Sequence, residues 1–250
     1  MIDTHCHLVD PQFNHDLDAV CKRAQDAGIG AIVNAGYDLT TSQLAWAMHE
    51  STPWLLPAVG IHPNEAAAQS ILQMVMIDSL AAKAGVVAIG ETGLDYYRDR
   101  SSREAQKELF KLHIKSAYTR SLPLLVHTRN SIDDAITILE SGPELKGVFH
   151  CYSGTEEQAK RIIELGFYLG FGGVLTFSKR ARRVFKTLPK ERLLLETDAP
   201  FLAPATYRGQ RNEPAYLQET LRTAAEISDR SQEYIEQITD ENAKTLFSIQ

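Results

Sequence analysis

The sequence predicts an α/β protein of the TIM (β/α)8 barrel class with an extra C-terminal helix, and three observations carry that expectation. Eight short, apolar, β-rich runs alternate with amphipathic helical stretches, the pattern of parallel strand–helix units. Five of the runs finish on side chains that ligate metals: His5-Cys6-His7, Glu91, His127, His150 and Asp198. A closed parallel barrel brings the C-terminal ends of different strands to one mouth, so these residues would converge there. A doubly wound open sheet is the rival architecture. Its strand ends need not meet, however, and no Gly-rich nucleotide fingerprint follows the first run.

In chain order, strands are expected near residues 2–5, 31–35, 56–60, 86–90, 123–127, 147–151, 167–171 and 193–197. Gly28, Gly85 and Gly166 stand where the intervening helices should end, as C-terminal caps. Ser101-x-x-Glu104 and Thr155-x-x-Gln158 read as capping boxes at helix starts. Two helical stretches, roughly 213–228 and 231–247, follow the eighth run. No tandem motif, low-complexity tract or linker interrupts the pattern, so residues 1–250 read as one domain.

Composition narrows the function. Hydrophobic residues make up 44%, enough for a large core, yet no apolar run reaches the ~20 residues of a membrane helix. The opening Met1-Ile2-Asp3-Thr4-His5 has no basic region followed by an apolar core, so no secretory signal is expected. Three cysteines, Cys6, Cys21 and Cys151, fit a reducing compartment better than a disulfide framework. A cytoplasmic protein with no membrane contact and no obligate protein partner is expected. The net charge of −6 argues against broad coating of nucleic acid. It is compatible with a nuclease that grips one or two phosphates at a metal centre.

His5 and His7 are two apart on a strand, so their imidazoles share a face and Cys6 takes the other. Glu91 can bridge two cations through its two oxygens. His127 and His150 end consecutive strands at the same position. Asp198 could bind metal, accept a proton from an attacking water, or do both. Each has an ordinary alternative as a core histidine or a capping acid. Their shared position at strand ends points to a dinuclear metal site and to hydrolysis.

Other residues are open to two readings. His62, in Gly60-Ile61-His62-Pro63, ends the third strand. His62 could be a further metal ligand, but six donors already suffice for two cations, so a substrate contact, phosphate included, is expected ahead of a structural role. Arg211, in the loop after the eighth strand, could hold phosphate bidentately, or pair with Glu213 or a nearby carboxylate. The basic segment 179–183 follows the seventh strand, where the helix macrodipole disfavours cations. It is either a solvated helix face or an attractor of anionic substrate. Tyr96, Tyr97 and Arg98 could stack on a nucleotide or pack their loop. His15, His49 and His113 lie on expected helices as surface or packing residues.

Taken together, Asp3-Thr4-His5-Cys6-His7-Leu8, Gly60-Ile61-His62-Pro63, Ile89-Gly90-Glu91-Thr92-Gly93-Leu94-Asp95, His127-Thr128-Arg129, His150-Cys151-Tyr152-Ser153-Gly154, Glu196-Thr197-Asp198-Ala199-Pro200 and Arg211-Asn212-Glu213-Pro214 resemble the TatD family of metal-dependent deoxyribonucleases, in the amidohydrolase superfamily. The resemblance runs in order from residue 1 to the last helix. It implies a TIM barrel with two divalent metal cations, of Mg, Mn or Zn type. By resemblance His5, His7 and Asp198 serve one metal, His127 and His150 the other, and Glu91 bridges them. It also implies a DNA substrate, trimmed from single-stranded or damaged ends in the 3′-to-5′ direction. Asp198 would orient or deprotonate the attacking water, with His62 and Arg211 on phosphate. The rival expectation is a hydrolase of an amide, lactone or small phosphoester using the same site. No lysine stands at a middle strand end to be carbamylated, which weighs against the amide reading.

Overall fold

The computed structural model describes residues 1–98 and 100–249. Eight parallel strands form one sheet in sequence order: β1 (Ile2–Cys6), β2 (Ala31–Ala35), β3 (Leu55–Val59), β4 (Ala88–Asp95), β5 (Leu124–Arg129), β6 (Gly147–Phe149), β7 (Tyr168–Phe171) and β8 (Leu193–Leu195). The helices are α1 (Leu17–Asp26), α2 (Leu39–Ser51), α3 (Ala68–Ala81), α4 (Arg103–Arg120), α5 (Ile132–Glu140), α6 (Glu156–Glu164), α7 (Lys179–Thr187), α8 (Leu217–Ser228) and α9 (Gln232–Phe247). This is the TIM barrel.

The last strand returns to the first. Across that seam Asp198 N–H donates to the His5 carbonyl at 2.9 Å and His7 N–H to that of Ala199 at 2.7 Å. Thr4 Oγ1 donates to the Leu195 carbonyl at 2.9 Å. The barrel therefore closes through the very residues the sequence marks as ligands.

Strand alternation sorts side chains into two cores. Leu125, Val148 and Leu194 point into the barrel, with Val33 and Ala58. Their neighbours Leu124, Val126, Phe149, Leu193 and Leu195 point out, against the helices. The extra helix α9 closes the floor, adding Ala243, Leu246 and Phe247 to the inner cluster. Asn242 fixes it there by donating to the carbonyls of Lys190 and Leu193, both at 2.8 Å. The Met1 ammonium pairs with Glu236 at 2.9 Å. With the floor sealed, the C-terminal end is the open mouth.

Three local expectations need correction. α4 is capped by Ser102, which accepts from Ala105 N–H; Ser101 instead donates to the Pro63 carbonyl at 2.6 Å. Gly85 lies in the turn before β4, beyond the α3 C-cap at Ala82; Gly28 and Gly166 do follow α1 and α6 directly, with left-handed backbone. β4 starts later than expected and continues to Asp95, so Glu91 lies within it. The Thr155/Gln158 capping box is present.

Candidate metal centre

Two irregularities aim the ligands. On β1, Ile2 points into the barrel, so strict alternation would turn His5 and His7 outward. A register shift between Asp3 and Cys6 reverses the parity and turns both inward, as bulges do. On β4, Ala88 points inward and Ile89 outward, and a shift between Ile89 and Thr92 does the same for Glu91. Gly90 permits it: its φ is +146°, and a Cβ there would strike Leu125. β5 and β6 need no such device, since His127 and His150 keep the parity of Leu125 and Val148; Asp198 lies beyond β8, with φ +56°.

The donors form two groups that share Glu91. Among His5 Nε2, His7 Nε2, Glu91 Oε2 and Asp198 Oδ1, five separations lie between 3.0 and 3.8 Å. A tetrahedron with metal–ligand bonds near 2.1 Å has edges of about 3.4 Å. His5, His7 and Glu91 converge closely enough to hold a cation, with Asp198 3.5 and 3.6 Å from the two imidazoles. The second group is a triangle: Glu91 Oε1 lies 2.9 Å from both His127 Nδ1 and His150 Nε2, which are 3.1 Å apart. Three donors leave a position open, as hydrolytic sites do. His5 stacks on His150 at 3.9 Å between ring centroids, linking the groups.

Of the other ring nitrogens, that of His7 is hydrogen-bonded and those of His127 and His150 face acids without a hydrogen bond. His7 Nδ1 donates to the Ala35 carbonyl at 2.8 Å, which leaves Nε2 as the donor atom. His127 Nε2 faces Asp95 Oδ2 at 3.5 Å, and His150 Nδ1 faces Glu196 Oε1 at 3.9 Å. Carboxylates in such places orient ligands and raise their basicity. Asp95 is itself fixed, accepting from the amides of Tyr97 at 2.9 Å and Arg98 at 3.0 Å. His62 differs. Its Nδ1 accepts from the Asn64 amide at 3.0 Å, so the proton is on Nε2, 3.6 Å from Glu91 Oε1.

Burial and crowding set the charges. Burial pulls His7 and His127 down, but carboxylate partners outweigh it and raise both to about 9: Asp198 and Glu91 for His7, Asp95 and Glu91 for His127. Burial lowers His62 to about 3 and, with His150 and His7 nearby, lowers His5 well below the usual range. Glu91 is fully enclosed, which favours its neutral form, yet the surrounding imidazoles hold it well below the usual carboxylate range. Burial raises Glu196 strongly and Asp3 to about 7.

Asp3, Asp95 and Glu196 were not singled out by sequence reasoning. Residues 91 and 95 share a face of β4, and that parity was the available signal for Asp95; Glu196 follows the end of β8 at Leu195. Asp3 clamps β1 to the end of β8, accepting from Thr197 N–H at 2.9 Å and Thr197 Oγ1 at 2.6 Å.

Arg211 requires correction. Its guanidinium forks onto Asp16 at 2.8 and 2.7 Å and donates to the Gln12 carbonyl at 2.6 Å. It orders two loops and is not directed at phosphate. Glu213 is taken by Arg23, at 2.9 and 2.6 Å. In the basic segment, Arg182 turns back to the Leu175 carbonyl at 3.1 Å, while Lys179, Arg180 and Arg183 are exposed. Tyr96 packs its loop through Asp134 at 2.8 Å, whereas Tyr97 is exposed. His113 is a packing residue, accepting from Ile61 N–H at 3.0 Å.

Known proteins match this arrangement. The family model of TatD-related DNases matches residues 2–248. A metal-dependent hydrolase of Bacillus subtilis, YabD, itself described as uncharacterised, is 41% identical over all of this chain and 99% of its own length. A protein of Escherichia fergusonii named 3′-5′ ssDNA/RNA exonuclease TatD is 34% identical over 100% and 99% of the two chains. The crystal structure of the TatD homologue YjjV from Escherichia coli K12 superposes with a TM-score of 0.93 at 32% identity, covering 100% of this chain and 98% of that one. The chain thus belongs to the TatD-related DNase family of metal-dependent hydrolases.

Proposed function

We propose that this hydrolase cleaves phosphodiester bonds of DNA, trimming single-stranded ends from 3′ to 5′ with two divalent cations per chain. The observation that carries the reading is the division of Glu91: Oε2 faces the His5–His7–Asp198 group and Oε1 the His127–His150 pair. Cations held there would lower the pKa of a water between them toward neutrality and offset charge on the phosphoryl oxygens. Asp198, at the rim of its group, orients the attacking water and takes its proton. The His62 Nε2–H donates to a phosphoryl oxygen. Asp95 and Glu196 keep His127 and His150 in line.

A strand end suits the mouth of a closed barrel better than a continuous duplex does. The exonuclease name of the Escherichia fergusonii relative supports the same choice of substrate. Imidazoles suit zinc and manganese, and oxygen donors with a phosphate substrate suit magnesium and manganese. The three unpaired cysteines favour a reducing compartment such as the cytoplasm. No helix among the described residues is long and apolar enough to cross a membrane. Strands from both ends of the sequence build the site, which supports one catalytic domain.

The test is hydrolysis of a 3′-labelled single-stranded oligonucleotide by metal-stripped protein with Mg²⁺, Mn²⁺ or Zn²⁺ restored. Wild type should release 3′ nucleotides, and a His127→Ala/His150→Ala double variant should not. Folded, metal-loaded protein that releases none would overturn the nuclease reading and redirect the search to carbonyl and small phosphoester substrates.

A further inference from the structure

Phenylalanine divides sharply in this protein. Of nine in the chain, seven are at most 3% exposed, whereas Phe177 and Phe201 are 43% and 45% exposed. Both exceptions lie on loops at the catalytic mouth, after β7 and β8. Phe201 stands beside the metal site, its ring centroid 6.0 Å from that of His7. It is held there: the buried Asn212 amide donates to the carbonyls of Thr197 and Phe201, both at 2.7 Å. Phe177 has the Arg208 guanidinium over its ring at 5.5 Å. Across the mouth, after β4, Tyr97 is 61% exposed and carries the Arg129 guanidinium at 3.9 Å. The Tyr97 amide is anchored on Asp95 at 2.9 Å, the residue that faces His127.

We infer that these rings are two base-stacking subsites, one on each side of the metal centre. Phe201, beside His7, takes one unpaired base; Tyr97 with Arg129 takes another. This rests on the nuclease reading and names what that site selects. At Tyr97 the guanidinium covers one ring face and leaves the other for a base, which suits the alternation of base and phosphate along a single strand. Stacking accepts any base, so the subsites confer preference for unpaired strands without sequence preference. A base-paired end would have to melt before its bases could reach either ring.

The experiment compares two 3′-labelled single strands, one ordinary and one with base-lacking tetrahydrofuran nucleotides at its last two positions. Wild type should prefer the ordinary strand by roughly tenfold or more in kcat/KM, the scale of one or two stacked bases. Phe201→Ala and Tyr97→Ala should each raise KM on the ordinary strand and shrink that preference, with bound metal unchanged. Phe201→Trp should retain it. Tyr234→Ala, which removes an exposed ring on α9 far from the mouth, should change nothing. Variants that keep the wild-type preference, or that lose activity equally on both strands, overturn the stacking subsites alone. Wild type that cuts neither strand overturns the nuclease reading and the subsites with it.

Discussion

His7 and His62 both turn a ring nitrogen toward Glu91, but their backbone partners place the proton on opposite atoms. His7 Nδ1 donates to a carbonyl, Ala35, and so leaves Nε2, 3.3 Å from Glu91 Oε2, as the atom that ligates once its proton is displaced. His62 Nδ1 accepts from an amide, Asn64, and so presents Nε2–H at 3.6 Å from Glu91 Oε1. The first tautomer suits a metal, and the second suits an oxygen of the substrate. A neutral imidazole donor needs no proton from solvent, and burial keeps His62 neutral by lowering it to about 3.

The first prediction concerns His62. His62→Ala should leave metal content unchanged and reduce kcat/KM by roughly 10- to 100-fold, the scale of one transition-state hydrogen bond. His62→Gln, whose amide can still donate, should recover part of it. Loss of a metal equivalent in His62→Ala would show a ligand instead of a donor.

Asp95 is a positioning residue. It bears on the metal through His127, which it faces at 3.5 Å. Asp95→Asn should weaken binding of one cation by about 10- to 100-fold, and excess metal should restore much of the rate. An unchanged affinity, measured by chelator competition, would remove Asp95 from the site.

Metal binding should be coupled to pH. His7 and His127, one in each donor group, are raised to about 9. Below that value each holds a proton that a cation must displace; above it the lone pair is free. Affinity should therefore rise with pH, with about one proton released per cation between roughly pH 7 and 9, and level off beyond. Chelator competition across that range gives the slope, and a flat profile would contradict the assignment.

How much of this was legible in the sequence can be argued residue by residue. His127 and His150 end apolar runs with the right parity, so strand, face and end are all local information. His5 and His7 close the first run and Glu91 lies inside β4, but their inward aim depends on the shifts at Asp3/Cys6 and Ile89/Thr92. Gly90 was a local sign of the second shift, but the first carries no such residue and is set by the neighbouring strand. Arg211 misled because a basic residue in an active-site loop says nothing about Asp16, its partner 195 positions away. Ser101 and Ser102 are both competent caps, and only the folded backbone chose between them.

Acid stability offers a check away from the ligands. His113 is buried and lowered to about 4 by that burial; its Nε2 accepts from Ile61 N–H, next to His62. Between an unfolded value of 6.5 and the folded value of about 4, the unfolded chain binds a proton that the native state refuses. Stability should thus fall with pH across that window, by on the order of 3 kcal/mol from this group, and the contribution should level off below it. With a chelator present, His113→Gln should show a shallower decline than wild type by about one proton. Parallel curves would contradict the neutral, amide-accepting His113.

The central claim is that Glu91 unites two cations into one phosphodiesterase site. Its most direct measurement is nucleotide release from a 3′-labelled single strand as metal-stripped protein is titrated with Mn²⁺. Activity should climb until two equivalents are bound per chain, and Glu91→Gln should fail to reach it at the same loading. Full activity at one equivalent, or none with two bound, would contradict it.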